Sequence, residues 1–308
     1  MANGYDVVII GGGLAGMTAG IFAARHGLRT GLVERMMGGA QIINIEKIEN
    51  FPGFPQGISG AELAPATQEQ AMDAGVEFIM AEASSISRDG DYKVVATDAG
   101  EFRARAVIMA AGSTLRKLGI PGEEEMFGRG VSQCATCDGP LYGGQVVGVV
   151  GGGDSAADEA LTLAEYADTV LLFHRSDQMS AQKTIQDRLH QNRKIEVVWN
   201  SVVQEVLGKE TVSGVRVQNV VTNLENVVSL SGLFVYVGLE PNTALVQGMV
   251  KLDNAGHIPV NLSMETEVPG LYAVGDIRQH SSSQLVSVAG DGATAAIAAV
   301  NYLRSSGR

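Results

Sequence analysis

The fold is decided near the start of the chain, where residues 5–35 read YDVVIIGGGLAGMTAGIFAARHGLRTGLVER. Tyr5–Ile10 is a continuous apolar run rich in β-branched residues, which is typical of a strand buried on both faces of a parallel sheet. Gly11, Gly13 and Gly16 follow it directly in GxGxxG spacing. Because glycine lets the backbone turn tightly and approach other groups closely, the run predicts a strand that turns sharply into a helix.

The segments after this turn occupy the positions that a dinucleotide site requires. A helix is expected from about Leu14 to Gly27, and a second strand from Thr30 to Val33. Glu34 ends that strand 23 positions after Gly11, near the offset of about 20 at which a carboxylate binds an adenosine ribose. The N-terminus of the helix offers free N–H groups and a dipole to the pyrophosphate. Residues 5–35 therefore predict a dinucleotide-binding turn.

A second turn of the same kind lies in GGGDSAADEA, residues 151–160. A strand is expected before it at Gln145–Val150, a helix follows, and another strand is expected at Thr169–Phe173. His174 and Arg175 stand where the first turn has an acid, and cations at that position favour the 2′-phosphate of NADP. Two such turns predict two bound dinucleotides. The second is expected to contact Gly151, Gly153, Asp154, Ser155 and Ala156.

A third signal lies near the end of the chain, in TEVPGLYAVGDI at residues 266–277. A short buried strand at Leu271–Val274 delivers Asp276 to a loop, and a new helix is expected from around Gly290. Two interpretations of this aspartate are open. It caps the region locally, or it binds the ribitol of a flavin, which requires the chain to return to the first domain.

Two candidate crossings predict the domain organisation. Glycine, proline and asparagine follow apolar runs at Thr114–Gly122 and Val237–Thr243, where we expect the chain to pass between domains. We therefore predict an α/β fold of two Rossmann-like three-layer nucleotide-binding domains, the second inserted in the first. The first domain is expected at residues 1–115 and 244–308, and the second at 116–243.

Composition limits the possible partners and location. The 308 residues carry a net charge of -12, from 34 acidic and 22 basic residues, whereas nucleic-acid binding relies on clustered lysine and arginine. The N-terminus has no basic segment of a signal peptide, and no apolar run approaches the roughly 18 residues that a membrane span needs. We expect a cytoplasmic protein with neither a nucleic-acid nor a membrane partner.

Both cysteines of the chain lie in CATCDG, residues 134–139. A zinc site needs about four ligands, and the sequence offers no second cysteine pair, so no metal is expected. In a reducing cytosol, thiols at this spacing are more often redox-active than structural. From the spacing alone, a redox-active pair and two incidental buried cysteines both stay open.

Taken together, these motifs resemble the low-molecular-weight thioredoxin reductases, the class II members of the pyridine nucleotide disulfide oxidoreductase group. The resemblance spans essentially the whole chain. CATCDG inside the second nucleotide domain is its specific signal, since related disulfide reductases keep their cysteines in the flavin domain. The other matching motifs are GGGLAG, GAQIINIEKIENFPGF at 39–54, RKLGIPGE at 116–123, GGGDSAADEA, VGLEPNT, YAVGD and QLVSVAGDGATAA.

The resemblance implies a homodimeric flavoprotein that passes electrons from NAD(P)H through FAD and the Cys134–Cys137 disulfide to thioredoxin or a thioredoxin-like protein. The first domain then binds FAD and the second binds NAD(P)H. It implies that Cys137 faces the flavin, that Cys134 attacks the partner, and that Asp138 is the acid–base group; an exposed turn carboxylate is the alternative for Asp138. The FAD contacts that it implies are Gly11, Gly13, Gly16, Glu34, Gln41, Asn50, Gly112, Gly275, Asp276 and Gln284, and the nucleotide contacts in the second domain include His174 and Arg175.

The chain departs from the family pattern at three places. Ser176 and Ser180 stand where members specific for NADPH carry arginines, so NADPH is only slightly favoured over NADH. Pro140 and Leu141 replace aromatic residues that help to dock the partner, which leaves the identity of the partner open. Ser283 replaces a common arginine before Gln284.

Other functions remain to be weighed against this one. An NADH-dependent reductase of a peroxiredoxin system usually carries a further thioredoxin-like domain, for which no sequence precedes Tyr5. A small-dithiol oxidase does not need the second nucleotide turn, and a reductase of the ferredoxin–NADP type has no use for CATC. A non-catalytic dinucleotide-sensing protein would tolerate the loss of both cysteines.

Overall fold

The computed structural model describes residues 3–36 and 40–305. Its strands are β1 Asn3–Ile10, β2 Thr30–Glu34, β3 Glu77–Met80, β4 Ala83–Asp89, β5 Tyr92–Thr97, β6 Gly100–Met109, β7 Ser113–Leu115, β8 Val131–Ser132, β9 Val146–Gly151, β10 Thr169–Phe173, β11 Ile195–Val198, β12 Ser201–Gly208, β13 Val212–Asn219, β14 Glu225–Ser229, β15 Gly232–Tyr236, β16 Leu239–Pro241 and β17 Leu271–Ala273. The α-helices are α1 Leu14–Arg25, α2 Gly60–Asp73, α3 Ala135–Asp138, α4 Asp154–Tyr166, α5 Lys183–Gln191 and α6 Leu285–Ser305. Short 3-10 helices lie at Ala40–Asn44, Gly139–Tyr142, Ala244–Val246 and Gly275–Ile277.

The chain divides into two compact units. Unit 1 contains the residues up to Thr114 and those from Glu240 onward, and unit 2 is Leu115–Leu239. The two segments that pass between the units, β7 and β16, pair with each other as a two-stranded sheet.

Unit 1 is built on a seven-stranded sheet in the order β3-β2-β1-β6-β5-β4, with β17 also paired to β6. Strands β3, β2, β1, β6 and β17 run parallel, whereas β5 and β4 are antiparallel to their neighbours. The long strand β6 makes both kinds of pair, because its first half lies beside β5 and its last residues lie beside β17. This parallel sheet is the one that the first glycine-rich turn predicts.

Strand β1 is buried on both faces, as the apolar run predicts. Val7 and Ile9 pack into a core with α1, α2 and α6, while Val8 and Ile10 pack into a second core on the opposite face. All four side chains are at most 4% exposed. Alternating side chains of one strand therefore join two apolar layers to the same sheet.

The last helix begins earlier than the sequence suggests. Helix α6 starts at Leu285, so the expectation of a start near Gly290 is wrong. The Gln284 carbonyl accepts the first helical hydrogen bond, from the N–H of Val288 at 3.0 Å. Gly292 allows α6 to pack closely on α1, because a Cβ there would overlap the Ala15 carbonyl oxygen. Gly292 therefore lies within the helix, where it contacts α1.

Unit 2 repeats the parallel arrangement on a smaller scale. Its five-stranded sheet has the order β11-β10-β9-β15-β8, with every neighbouring pair parallel. Strands β12, β13 and β14 form a separate antiparallel sheet. Helices α4 and α5 share one core with β9, β10 and β15. The predicted α/β class with two Rossmann-like domains is confirmed. Within the described residues, no helix has the length and apolar character required to cross a bilayer.

One lysine is buried inside unit 1. Lys93 on β5 is 3% exposed, and its ammonium donates to the Arg105 carbonyl oxygen at 3.1 Å. The pKa of Lys93 is lowered from 10.5 to about 8, chiefly by burial and further by the like charge of Arg88, while the charge of Asp91 acts in the opposite direction. The folded protein therefore holds this proton less tightly than the unfolded chain does.

We expect Lys93→Met to reveal this cost as a pH-dependent difference in stability. Between pH 8 and 10.5 the unfolded chain binds more protons, so the free energy of unfolding of the wild type should rise with pH relative to the variant. At about 1.4 kcal/mol per pKa unit the full difference is at most ~3.5 kcal/mol. Urea denaturation at several pH values measures it, with exposed Lys209→Met as the control. A difference that stays constant with pH would contradict the assignment.

Candidate functional site

The first glycine-rich turn joins β1 to α1 through two close backbone contacts. Gly11 has φ +110°, and a Cβ there would overlap the carbonyl oxygen of Ala110 at the end of β6. A Cβ on Gly16 would in turn overlap the carbonyl oxygen of Gly11. Only glycine allows α1 to start this close to the sheet, so the helix N-terminus is fixed directly beyond the end of β1.

The space in front of this helix is open. Gly13 is the N-cap of α1, its side-chain position meets no atom within 4 Å, and it provides no side-chain cap. The first N–H groups of a helix have no partner within the helix, so they are available to an anion. Glu34 lies beside the turn, where its carboxylate accepts from the N–H of Gly12 at 2.6 Å and of Met36 at 3.0 Å. This arrangement fits a pyrophosphate with an adjacent ribose.

A buried ion pair stabilises the turn that carries Asp276. Asp291 on α6, 6% exposed, accepts from Arg278 Nε at 2.7 Å and Nη2 at 2.9 Å, and from the N–H of Gly275 at 3.1 Å. Burial raises the pKa of Asp276, while the hydroxyls of Ser283 and Ser281 act in the opposite direction. The carboxyl group of Asp276 is thus partly desolvated at the end of a rigid turn.

The remaining predicted FAD contacts also lie in unit 1. The side-chain amide of Gln41 donates to the Ser113 carbonyl, and Asn50 Nδ2 donates to Gln284 Oε1 at 3.0 Å. Gly112 has φ +62° and open space at its side-chain position. Gly39, the first residue of the predicted GAQIINIEKIENFPGF motif, lies outside the described residues.

The second glycine-rich turn joins β9 to α4 in unit 2. A Cβ on Gly151 would overlap the Tyr236 carbonyl oxygen and lie 2.6 Å from the Cβ of Ala156. Gly153 is the N-cap of α4, and the exposed Ser155 lies in the first turn of this helix. Asp154 points to the following loop, where its carboxylate accepts from the N–H and the amide of Gln182, each at 2.8 Å.

The loop after β10 folds back on this turn. The His174 ring lies against Gly152, where a Cβ would overlap it. Its Nδ1 is 2.9 Å from the Gly151 carbonyl oxygen and its Nε2 is 2.7 Å from that of Gln178. Ser176 Oγ donates to Gln178 O at 3.0 Å.

Two further side chains of this loop are Ser180 and Arg175. Ser180 Oγ donates to the Gly152 carbonyl oxygen at 3.3 Å. Arg175 is exposed to solvent. The two serines thus stabilise the loop through backbone carbonyls, and Arg175 is its outward-facing cation.

The cysteine pair forms a disulfide at the start of α3. The Cα atoms of Cys134 and Cys137 are 5.3 Å apart, and the Cys137 N–H donates to Cys134 Sγ at 3.2 Å. Cys137 is exposed, whereas Cys134 and Asp138 are half-buried. Burial raises the pKa of Tyr142, and the negative charge of Asp138 raises it further. The Cys134–Cys137 disulfide that the family resemblance implies is therefore present.

Sequence reasoning missed the residues that hold this turn. The N–H of Cys134 donates to Ser132 Oγ at 3.1 Å, and the N–H of Ala135 donates to Glu159 Oε2 at 2.8 Å. The same Glu159 oxygen accepts from Tyr236 OH at 3.0 Å. Arg278 and Asp291 were missed in unit 1. Only the position of Asp291 between two glycines near the start of a helix offered a local signal.

Comparisons with known proteins agree with this geometry. The family model described as pyridine nucleotide-disulphide oxidoreductase matches residues 5–293. The chain is 40% identical to a thioredoxin reductase of Bacillus subtilis (strain 168) over 97% of this chain and 95% of that protein. It is also 40% identical to a thioredoxin reductase of Treponema pallidum (strain Nichols), over 98% of each chain.

A solved structure gives the same result for the fold. The structure of Lactococcus lactis thioredoxin reductase matches with a TM-score of 0.96 and 42% identity, over 98% of this chain and 99% of that one. The resemblance found in the sequence is therefore confirmed. This chain is an oxidoreductase that belongs to the pyridine nucleotide-disulphide oxidoreductase family, among the low-molecular-weight thioredoxin reductases.

Proposed function

We propose that the chain is a flavin-dependent disulfide reductase that passes electrons from NADPH, with NADH as the alternative donor, through FAD and Cys134–Cys137 to thioredoxin or a thioredoxin-like protein. The observation that carries the proposal is the bonded cysteine pair at the N-terminus of a short helix in unit 2, the unit that also has the second nucleotide turn. We further propose a cytoplasmic homodimer, by analogy with the family.

Unit 1 is the proposed FAD-binding domain. Its helix α1 offers N–H groups to the pyrophosphate, and Glu34 is the proposed partner of the adenosine ribose. Asp276 would face the ribitol, and its partial burial makes a hydrogen bond to a hydroxyl favourable. The ion pair of Arg278 with Asp291 keeps that carboxyl in place. When bound, the flavin supplies the two-electron chemistry that side chains lack.

Unit 2 is the proposed nicotinamide-nucleotide domain. Gly153 and the first turn of α4 present N–H groups to the pyrophosphate. The exposed Arg175 is the proposed contact of a 2′-phosphate, and His174 supports the turn from the side. The intact second turn also argues against a dithiol oxidase, which has no need of a nicotinamide nucleotide.

The cysteines perform the exchange with the partner. Once the disulfide is reduced, the Cys134 thiolate attacks the partner's disulfide and forms a mixed disulfide with one partner sulfur. Cys137 then attacks Cys134 Sγ, which restores the internal bond and releases the partner as a dithiol. Because Cys137 is tethered three residues away, this second step is effectively unimolecular.

A cleft in unit 2 is the proposed contact surface for the partner. It has a volume of about 250 Å³, and its lining includes Arg129, Leu141 and Tyr142. Leu141 is 71% exposed and follows Asp138 by three residues. An apolar side chain so close to the cysteines is suited to a partner that must bring its own disulfide there.

We expect Cys134→Ser and Cys137→Ser each to abolish thioredoxin reduction, by at least about 10³-fold, because neither variant retains a dithiol that can resolve a mixed disulfide. Reduction of bound FAD by NADPH or NADH should persist in both. Stopped-flow absorbance follows the flavin, and a coupled assay follows thioredoxin. Thr136→Ser, in the same turn, is the control. Full turnover on thioredoxin by the variant with both serines would reject the cysteine pair as the route of the electrons, and a wild type that binds the nucleotides but does not reduce thioredoxin would support a sensing protein.

Asp138→Asn should slow thioredoxin reduction by about 10²-fold, the lower range for loss of an acid–base group. The carboxylate is half-buried beside the cysteines, and an amide of the same shape transfers no proton. Flavin reduction by the nucleotide should not change. The exposed Asp168→Asn is a matched control in the same unit. If Asp138→Asn retains wild-type turnover over the pH range, Asp138 is an ordinary turn residue.

Arg175→Ala should lower the ratio of kcat/KM for NADPH to that for NADH by about 10-fold, since a charge-assisted hydrogen bond contributes roughly 1.5–3 kcal/mol. The effect should weaken with added salt because the side chain is exposed. Arg193→Ala removes another exposed arginine of unit 2 and serves as the control. An unchanged ratio would exclude Arg175 as the 2′-phosphate contact.

A further inference from the structure

A buried serine hydroxyl lies among the proposed flavin contacts of unit 1 without a hydrogen bond of its own. Ser113 on β7 is 6% exposed, and its buried Oγ makes no hydrogen bond to any residue that the structure describes. Such a hydroxyl destabilises a folded protein, because it has lost water without gaining a partner. Since buried polar groups nearly always have a partner, this one points to a partner that is gained when a ligand binds.

The backbone places Ser113 beside the Asp276 turn. The carbonyl oxygen of Met109, at the end of β6, accepts from the N–H of Val274 at 2.9 Å. Ser113 and Asp276 therefore follow the ends of two neighbouring parallel strands, β6 and β17, within a few residues. The amide of Gln41 donates to the Ser113 carbonyl, which fixes the backbone but does not use the hydroxyl. Ligands of open α/β sheets bind at these carboxyl ends.

The neighbour of the Ser113 hydroxyl is the Asp276 carboxylate. Burial raises the pKa of Asp276, whereas the hydroxyls of Ser283 and Ser281, and lastly that of Ser113, lower it. The negative charge of Asp291 raises it as well. The hydroxyl of Ser113 is thus close enough to act on the carboxylate, although the two groups form no hydrogen bond of normal geometry.

The other two serines are less suited to support this carboxylate from inside the protein. Ser281 Oγ is 3.4 Å from Asp276 Oδ1 and accepts from the N–H of Ser283 at 3.2 Å. Hydrogen bonds between two oxygen atoms normally span 2.5–3.0 Å, so the contact of Ser281 is weak. Ser283 is exposed, where water competes with it. Of the three hydroxyls, that of Ser113 is both buried and unused.

We propose that Ser113 is a positioning residue of the flavin site, whose hydroxyl donates to the Asp276 carboxylate when the ribitol of the flavin displaces water from that carboxylate. This inference rests on the proposed function, in which unit 1 binds FAD and Asp276 faces the ribitol. A carboxylate that loses water is stabilised by an internal donor, and a serine hydroxyl reaches a new partner by rotation between staggered conformers. The unfavourable burial of the hydroxyl is then relieved only in the flavin-bound protein.

Ser113→Ala tests this role through two effects of different sign. The full-length holoenzyme is dialysed against decreasing concentrations of FAD, and the flavin that stays bound is measured by absorbance. We expect the dissociation constant for FAD to rise about 3- to 10-fold at pH 7.5, because one hydrogen bond that supports the bound state is lost. At FAD concentrations far below that constant, the thermal unfolding temperature should stay the same or rise, because the hydroxyl then has no partner to lose.

The pH dependence of FAD binding tests whether the effect acts through Asp276. The ionised carboxylate accepts a hydrogen bond from the ribitol, so the affinity should fall as Asp276 becomes protonated between pH 8 and 5. Because the Ser113 hydroxyl lowers the pKa of Asp276, this fall should begin at a higher pH in Ser113→Ala than in the wild type. Asp291 and its ion-pair partner Arg278 also act on this region, and the substitution leaves both unchanged.

Ser201→Ala is the matched control. Ser201 in β12 is 4% exposed, but its Oγ donates to the Trp199 carbonyl oxygen at 2.9 Å. The substitution removes the same atom from an equally buried serine that has a partner. It should lower the unfolding temperature, and it should leave the affinity for FAD and its pH dependence as in the wild type.

The outcomes separate this inference from the function on which it rests. A wild type that binds FAD, with the same dissociation constant in Ser113→Ala, would overturn the role of Ser113 alone. A lower unfolding temperature of Ser113→Ala at low FAD, or an unchanged pH dependence, would also overturn it, because a loss of structure would then explain the weaker binding. A wild type that retains no flavin would instead reject FAD binding by unit 1 in the proposed function.

Discussion

The structure depends on backbone segments that approach each other too closely for a Cβ atom. In unit 1, Gly16 of α1 lies against the Gly11 carbonyl oxygen. In unit 2, Gly151 at the end of β9 lies against the Tyr236 carbonyl oxygen. Each contact fixes a helix N-terminus directly beyond the end of a parallel strand. A side chain at either position would displace the helix, and the overpacking would cost about 1–3 kcal/mol. A displaced helix would also lose the orientation of the N–H groups at its start, which we propose to bind a phosphate.

In unit 2 a single helix, α4, adjoins both the second glycine-rich turn and the turn that holds the cysteines. Helix α4 begins at the nucleotide turn and carries Glu159 five residues after Asp154, a distance of about 7.5 Å along the axis. Helix α3, which holds the cysteines, is too short to be stable alone, since a four-residue helix makes few hydrogen bonds. Ser132 and Glu159 therefore stabilise it by accepting the N–H groups at its start. The positions of the nucleotide turn and of the cysteines are thus set by one rigid element.

Local sequence patterns predicted the features that are themselves local. The apolar strand β1, the two glycine-rich turns and the cysteine pair each extend over a few residues, so their spacing is enough to identify them. The supports of these features join positions far apart in sequence. Glu159 is 24 residues from Ala135 and 77 from Tyr236, and no periodicity marks such a contact. The start of α6 was misplaced because glycines near Gly290 were taken as a helix boundary, whereas Gly290 and Gly292 lie inside the helix and Gly292 contacts α1.

The loop after β10 departs from the family pattern in charge, since serines stand at two positions where arginines are expected. Ser176 donates to the Gln178 carbonyl and Ser180 to the Gly152 carbonyl, so both hydroxyls are satisfied by backbone within the loop. The loop is therefore stable without the arginines that the pattern leads one to expect. In the function that we propose, a 2′-phosphate would be recognised mainly through the Coulomb attraction of the exposed Arg175. Such an attraction is screened over about 8–10 Å at physiological salt, so we expect the proposed discrimination between NADPH and NADH to depend on ionic strength.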